Sequence, residues 1–468
     1  MSMPDARHTL FQQQYAAGKA LRQEHSRADH ARCALSAHRD IVAMVEATSH
    51  GRVPALVPLR YGRMSASPFA FFRGLAMIQA ADLAAAPHSG IALQICGDAH
   101  LMNYGFFASP ERQLIFDIND FDETHPGPWE WDLKRLAVSL VLAARARGFS
   151  DADARDMVLR AAGTYQRRIH DYARMGQLEV WYSKLGFEQL LSHAPSEDIR
   201  QQMLKLAAKA RNQTQEKLLP KMTEREDGSL RLRDNPPVIF HLGQAEDMLA
   251  GDDSGLACED IQQLIQPMLH QYGGTLKEDR RELLGRFRPV DAAFKVVGVG
   301  SVGTRCLVVL LQDNYDQPLF LQLKEARSSV LEPYTQRCAH GHQGKRVVFG
   351  QRVMQAASDL FLGWTSGPGG RHFYVRQLRD MKAAPTLEAF AAPGALGAYG
   401  QACAWALARA QAKAGGCAAR IAGYLGQSDR FQLALGEYAL RYADQVEADY
   451  ASFKAAIRGG RLNAATPD

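Results

Sequence analysis

The chain has 468 residues, 46% of them hydrophobic and 22% charged, an ordinary globular composition that can bury a sizeable core. Its 55 basic and 50 acidic residues leave a net charge of +5, which suits an anionic ligand such as a nucleotide but is too small to call for nucleic acid. Seven scattered cysteines with no Cys-x-x-Cys pair argue against a disulfide framework or zinc ribbon and favour the reducing cytoplasm.

The opening MSMPDARHTLFQQQ is polar and lacks the apolar core of a signal peptide. The longest apolar stretch, Leu136 to Ala144, is too short to span a bilayer, so no membrane partner is expected. Residues 1–90 read as a helical or irregular N-terminal region, with Arg22, Arg27, Arg32 and Arg39 solvated on a helix and Pro54, Pro58 and Pro68 punctuating its second half. The short apolar runs 91–96 (IALQIC) and 114–118 (LIFDI) predict buried strands. From Trp129, the spacing of Leu133, Leu136, Ala137 and Leu140 predicts an amphipathic helix with a wide apolar face. Residues 152–172 and 198–220 predict further helices, and the charged, turn-rich 222–236 predicts a linker. Residues 294–299, 305–312 and 318–324 predict an antiparallel meander, 345–361 a helix, and 372–378 (HFYVRQL) one more strand. Residues 388–458 read as helical throughout.

Two blocks carry chemistry. The first is GDAHLMNYG, IFDINDFDE and GPWEWDLKRLA, within residues 97–137. Asp98 can accept a proton from an attacking hydroxyl, and Asn103 and Asp120 can supply oxygens to Mg²⁺. Asp132, at the opening of a helix, suits the free N–H groups there and can brace the loop from below. Singly, Asp117, Asp120, Asp122 and Glu123 read as a turn's solvated acids and His100 as a polar core residue. Together, acids crowded against apolar runs need a cation or partner to balance them, which brings His100 and Asp122 in as supporting residues.

The second block is VVGVGSVGTRCLVVLLQ followed by LFLQLKEA. Gly298, Gly300 and Gly303, with Ser301 among them, allow close approach of backbone to phosphate, and Lys324 on the next strand supplies a point charge. A kinase-like lysine needs a glutamate from the following helix. Glu325 would face the other side of the strand and 345–361 has none, which leaves Glu332. Arg73, with Arg63, stands upstream of the catalytic loop within reach of phosphate or acceptor. A kinase places the glycine loop first; here it comes second, as in a circular permutation.

GDAHLMN, the DFDE after it and GPWEWDL resemble the catalytic stretch of aminoglycoside and choline phosphotransferases, which carry a Gly-Asp-x-His-x-x-Asn loop. That resemblance implies Asp98 as catalytic base, Asn103 and Asp120 as Mg²⁺ ligands and Asp132 as a structural support. YVRQLRDMK resembles the strand leading into a kinase hinge. LARAQAKAG is similar to the helix before the catalytic loop, with Gln411 where those enzymes have histidine. On LVPLRYGRM, SPFAFFRG, GQRVMQAASDLFLGW and AGYLGQSDRF as well, the chain is identified as a member of the bacterial family called domain of unknown function 2252.

The expected fold is α+β and two-lobed, kinase-like and circularly permuted. Residues 91–285 hold the catalytic loop and part of a large helical lobe, 286–383 a small nucleotide-binding lobe, and 384–468 the helices that complete the large one. The expected function is ATP- and Mg²⁺-dependent phosphoryl transfer to an unknown small-molecule or protein acceptor. Alternatives are nucleotidyl transfer by the same site, a non-catalytic nucleotide binder, or a metal-dependent hydrolase using Asp98, His100, Asp120 and Asp122.

Overall fold

The computed structural model describes residues 4–36, 39–226, 229–242, 246–252, 261–378 and 380–465. Helices α1 (Pro4–Ala20), α2 (Ile41–Ala47), α3 (Val57–Met64), α4 (Pro68–Gly74) and α5 (Ala76–Ala84) precede strand β1 (Ala92–Ile95). Strands β2 (Tyr104–Ala108), β3 (Leu114–Ile118) and β4 (His125–Pro128) lead to the long helices α6 (Trp129–Ala146) and α7 (Asp151–Tyr172). Helices α8 (Gln177–Tyr182), α9 (Phe187–Ser192), α10 (Glu197–Arg211) and α11 (Gln215–Met222) run into the hairpin β5 (Thr223–Glu226) and β6 (Ser229–Leu232). Next come β7 (Ile239–Phe240), α12 (Ile261–Gly273), α13 (Glu278–Leu284), β8 (Arg288–Lys295), β9 (Cys306–Gln312) and β10 (Pro318–Glu325). Helix α14 (Gln343–Met354), strands β11 (Gly363–Ser366) and β12 (His372–Gln377), and helices α15 (Pro393–Gly415), α16 (Ala418–Leu425) and α17 (Arg430–Arg458) complete the set.

The architecture is mixed α+β with small antiparallel sheets. The largest sheet has the order β11-β12-β10-β9-β8-β7 and is antiparallel throughout. Its central strands are buried on both faces, and the two-residue period of the pleat divides their side chains between two cores. Leu307, Val309, Leu321 and Leu323 enter one core, while Val308, Leu310 and Phe320 enter the other. Strands β1 and β4 pair as one ribbon, β2 and β3 as a second.

The expected strands 91–96, 114–118, 305–312, 318–324 and 372–378 correspond to β1, β3, β9, β10 and β12. The strand expected at 294–299 is β8, shifted towards the N-terminus and ending at Lys295. Helix α6 starts at Trp129, but Trp129 to Ala144 are all buried, so its polar positions are not a solvated face. The helix expected over 198–220 breaks at Asn212–Thr214; Gln215 restarts it and accepts the Phe320 amide of β10, 2.9 Å away. The linker expected at 222–236 contains the β5–β6 hairpin. The helix expected over 345–361 stops at Met354, because the Ala356 amide goes to the Asp117 carboxylate at 2.8 Å.

The N-terminal arginines also depart from expectation. Arg22 and Arg27 donate to the carbonyls of Tyr424 (2.8 Å) and Leu425 (2.7 Å), at the C-terminal end of α16. Arg39, its side chain 9% exposed, lies between Asp82 (3.1 Å) and Asp449 (2.5 Å). Only Arg32 is largely exposed. These side chains found carbonyls and carboxylates of sequence-distant helices, partners that local spacing cannot reveal. Among the described residues no helix is long and apolar enough to cross a membrane. The six described cysteines are free; Cys258 lies outside the described residues.

Candidate functional site

The loops that follow β1 and precede β4 line a cleft. After β1 the chain turns at Gly97, whose φ of 82° and close neighbours leave no room for a side chain; a Cβ there would sit 2.4 Å from the Glu123 carbonyl oxygen. Asp132, in the first turn of α6, lies beneath this turn and accepts the amides of Cys96 and Gly97, both at 2.8 Å. Burial pushes its carboxyl up to about 6, against the pull of those hydrogen bonds. Gln411 takes part from α15: its side-chain amide donates to the Trp129 carbonyl at 2.9 Å and to Asp132 at 3.4 Å.

Asp98 follows Gly97. Arg135, one helical turn after Asp132, donates to Asp98 Oδ1 at 2.8 Å and stacks over the Phe72 ring at 3.7 Å. His100 Nε2 stands 3.9 Å from Asp98 Oδ2, and burial lowers that imidazole to about 4. Asn103 Nδ2 donates to the Asp98 carbonyl at 2.8 Å and the Asp120 carbonyl at 3.5 Å. Carbonyls only accept, so the amide oxygen turns away from both, towards the cleft that Asn103 lines.

The acidic turn 119–124 meets the large sheet. Lys324 Nζ, on β10, is 3.1 Å from Asp120 Oδ2 and 2.5 Å from Asp122 Oδ2, with the lysine side chain 3% exposed. Burial alone would raise the Asp120 carboxyl, but Lys324 and Arg376 hold it well below the usual carboxylate range. Burial and the neighbouring Asp120 charge raise Asp122. Burial would lower the Lys324 ammonium, yet the two carboxylates keep it well above its ordinary value. Tyr374, directly across from Lys324 on β12, donates to Asp122 Oδ1 at 2.8 Å. Glu123 accepts the Val330 amide at 2.8 Å, and burial pushes its carboxyl up to about 7.

Arg73, Asp98, His100, Asn103, Asp120 and Asp122 therefore line one cleft of about 480 Å³. Gly298, Gly300 and Ser301 form its roof, and the Ser301 hydroxyl reaches Asp122 Oδ2 at 3.3 Å. Gly303 does not face the cleft: it turns with φ 82° and its carbonyl accepts the Val53 amide at 2.8 Å. Arg63 holds the roof through the Gly298 carbonyl at 2.9 Å.

Glu332 is not the partner of Lys324. It lies on a short 3₁₀ turn and its carboxylate accepts the Cys338 amide at 2.9 Å. Helix α14 contributes Arg346 instead, which donates to the carbonyls of Thr124 (2.6 Å), Asp122 (2.8 Å) and Arg327 (2.8 Å) and pins the acidic turn to the sheet. In the segment expected to lead into a hinge, Tyr374 reaches the acidic turn, while Arg376, Gln377, Leu378, Asp380 and Lys382 line a separate cleft of about 150 Å³.

Sequence reading missed Arg135, Arg346 and Tyr374. Arg135 had a signal, because it stands three residues after Asp132 on a helix. Tyr374 and Arg346 had none short of the strand register and the packing of α14.

Fold and site together define an α+β protein in which a glycine-rich turn of the large sheet and a loop-borne cluster of acids line one polar cleft. The chain belongs to the family described as uncharacterized proteins conserved in bacteria (DUF2252), whose model matches residues 52–456. No curated protein and no solved structure matches it.

Proposed function

We propose that this protein transfers a phosphoryl group from Mg²⁺-bound ATP to an acceptor hydroxyl, with a kinase-like site whose parts occur in permuted order. The observation that carries the reading is the contact of Lys324 with Asp120, 3.1 Å across a separation of 204 residues. It joins the two motifs that the chemistry requires to act together. The topology supports it too. Counting from the strand before the glycine turn, Lys324 lies on the third strand, and a helix and two more strands follow, as a kinase small lobe requires of its lysine.

The residues fit Mg²⁺. Asp120, Asp122 and the Asn103 amide oxygen are hard oxygen donors, and Mg²⁺ is commonly held by one or two carboxylates plus substrate phosphates. A bound Mg²⁺ would neutralise charge on the phosphates being parted. Among the described residues no three His, Cys, Asp or Glu side chains converge on a metal position, which weighs against the hydrolase alternative.

In this reading Asp98 accepts the acceptor's hydroxyl proton as the oxygen bonds to phosphorus, and ADP leaves. Arg135 fixes one carboxylate oxygen and so directs the other at the proton. Lys324 binds phosphate oxygens under the glycine roof. Asp132 and Gln411 hold the loop in place from below.

The test is calorimetric titration of ATP, with and without Mg²⁺, into wild type, Asp120→Ala and Lys324→Ala. The expected result is Mg²⁺-dependent binding that both substitutions weaken. Wild type that ignores ATP, or binding indifferent to both changes, would falsify the reading. Once an acceptor is found, its gain in mass separates phosphoryl from nucleotidyl transfer.

A further inference from the structure

The acids of the cleft already have partners. Asp98 pairs with Arg135, Asp120 and Asp122 with Lys324, and Glu325 with Arg305 and Arg371. Glu123 accepts a backbone amide. Four arginines in the same cleft, Arg52, Arg60, Arg73 and Arg327, form no salt bridge among the described residues. Arg52 donates to the Thr48 and Val302 carbonyls, Arg60 to Ser49 and the Gly74 carbonyl, and Arg327 to the His50 carbonyl. Arg73 lies 5.8 Å from the Phe69 ring by its guanidinium carbon and feels the Asp98 charge without a direct ion pair.

Carbonyls and hydroxyls satisfy donors but do not neutralise charge, and a buried uncompensated cation is costly. Arg60 is fully buried, and the Nε atoms of both Arg60 and Arg73 are buried without a hydrogen-bond partner. An independent feature points the same way. Gly74, Leu75, Ala76 and Met77 line the cleft at the start of α5, where Leu75 caps no backbone N–H with its side chain. A helix start with free N–H groups favours an anion.

The wall is also registered to the catalytic loop. Arg135, which holds Asp98, donates from its other end to the Phe72 carbonyl at 2.8 Å, one residue before Arg73. Lys324, on β10, pairs with Asp120 and Asp122 of the acidic turn, which line the same cleft.

We infer that α3, α4 and the start of α5 form an oxyanion subsite, centred on Arg60 and Arg73, that holds a phosphate or carboxylate of the acceptor. This rests on the phosphotransfer reading. It makes the acceptor a small anionic molecule carrying its nucleophilic hydroxyl beside the charged group, and Arg73 a specificity-determining residue.

The test uses the full chain, first alone and then saturated with Mg²⁺ and a non-hydrolysable ATP analogue, titrated with inorganic phosphate and in parallel with malonate. Wild type should bind at least one of the two anions. Arg73→Gln, checked for folding by circular dichroism, should weaken that binding by roughly tenfold or more, the scale of one lost charged hydrogen bond, and leave the analogue's affinity nearly unchanged. Arg73→Lys should restore much of it, and Arg327→Gln gives a second variant should Arg73→Gln fail to fold. The stronger of the two anions names the acceptor's group. Wild type that binds neither anion, or an Arg73→Gln protein that loses the analogue as badly as the anion, overturns the subsite. If the analogue never binds but Arg73→Gln still abolishes anion binding, the phosphotransfer reading falls and the subsite stands.

Discussion

Replacing Glu123 with glutamine should remove a pH-dependent weakness from the folded protein. Burial raises this carboxyl from 4.5 to about 7. A raised folded-state pKa means the folded protein holds the proton more tightly than the unfolded chain. The contribution to stability is therefore complete below pH 4.5, declines above it and is lost once the pH has risen through about 7. The shift of about 2.5 units, at 1.36 kcal/mol per unit, gives an upper limit of about 3.4 kcal/mol. Glu123 keeps part of its surface open to the cleft, and screening there reduces the figure to about 2 kcal/mol. Glutamine keeps the size of the side chain and an oxygen for the Val330 amide. Urea denaturation of wild type and Glu123→Gln at about pH 4.5, 6 and 8 reads the difference directly. The variant should gain about 2 kcal/mol on wild type between the first and last of these. Parallel stability curves would mean that Glu123 is solvated, and that the acidic turn does not seal against the Ser329–Val330 segment.

Two further outcomes test the same junction. Lys324→Met leaves Asp120 and Asp122 facing each other without their cation and should cost about 3 kcal/mol or more. Thermal melts should show Mg²⁺ restoring more stability to the variant than to wild type, and a variant as stable as wild type without Mg²⁺ would contradict the pairing. Gly97→Ala forces a side chain against the Glu123 carbonyl at a positive φ, at roughly 3 kcal/mol, and wild-type stability in denaturant would count against the described turn.

Much of the secondary structure was legible because β1, β3, β9, β10 and the helices α6 and α7 carry periodic or continuous apolar runs. Strand β4 was not, since His125-Pro-Gly-Pro128 has two prolines and a glycine; it survives as a strand because it pairs only with β1. Strand β7 is two residues long and exists only by pairing with β8. At the cleft, residue type and spacing singled out Asp98, Asn103, Asp120, Asp132 and Lys324. They did not reveal that Arg39 and Arg60 are interior residues, because burial of an arginine depends on partners supplied by remote segments. Glu332 was chosen by elimination within a short window, whereas the lysine's actual partners lie some 200 residues away.

The lack of a glutamate on α14 then has a physical explanation within the proposed function. At 3% exposure Lys324 needs a nearby carboxylate to stay charged. Helix α14 provides a cation at the corresponding junction, and Arg346 uses it to draw three carbonyls together, two from the acidic turn and one from the end of the β10 segment. That closure carries Asp120 and Asp122 to the lysine, so the turn does the work of the helix carboxylate. The same two acids are the proposed metal ligands, and they cannot fully serve both cations. When Asp120 and Asp122 turn to a dication, Lys324 loses its partners and its ammonium becomes available to phosphate oxygens, so metal and nucleotide should bind together more tightly than either alone. Nucleotide affinity that is the same with and without Mg²⁺, in protein whose Lys324→Met variant shows the expected loss of stability, would separate the structural ion pair from the proposed chemistry.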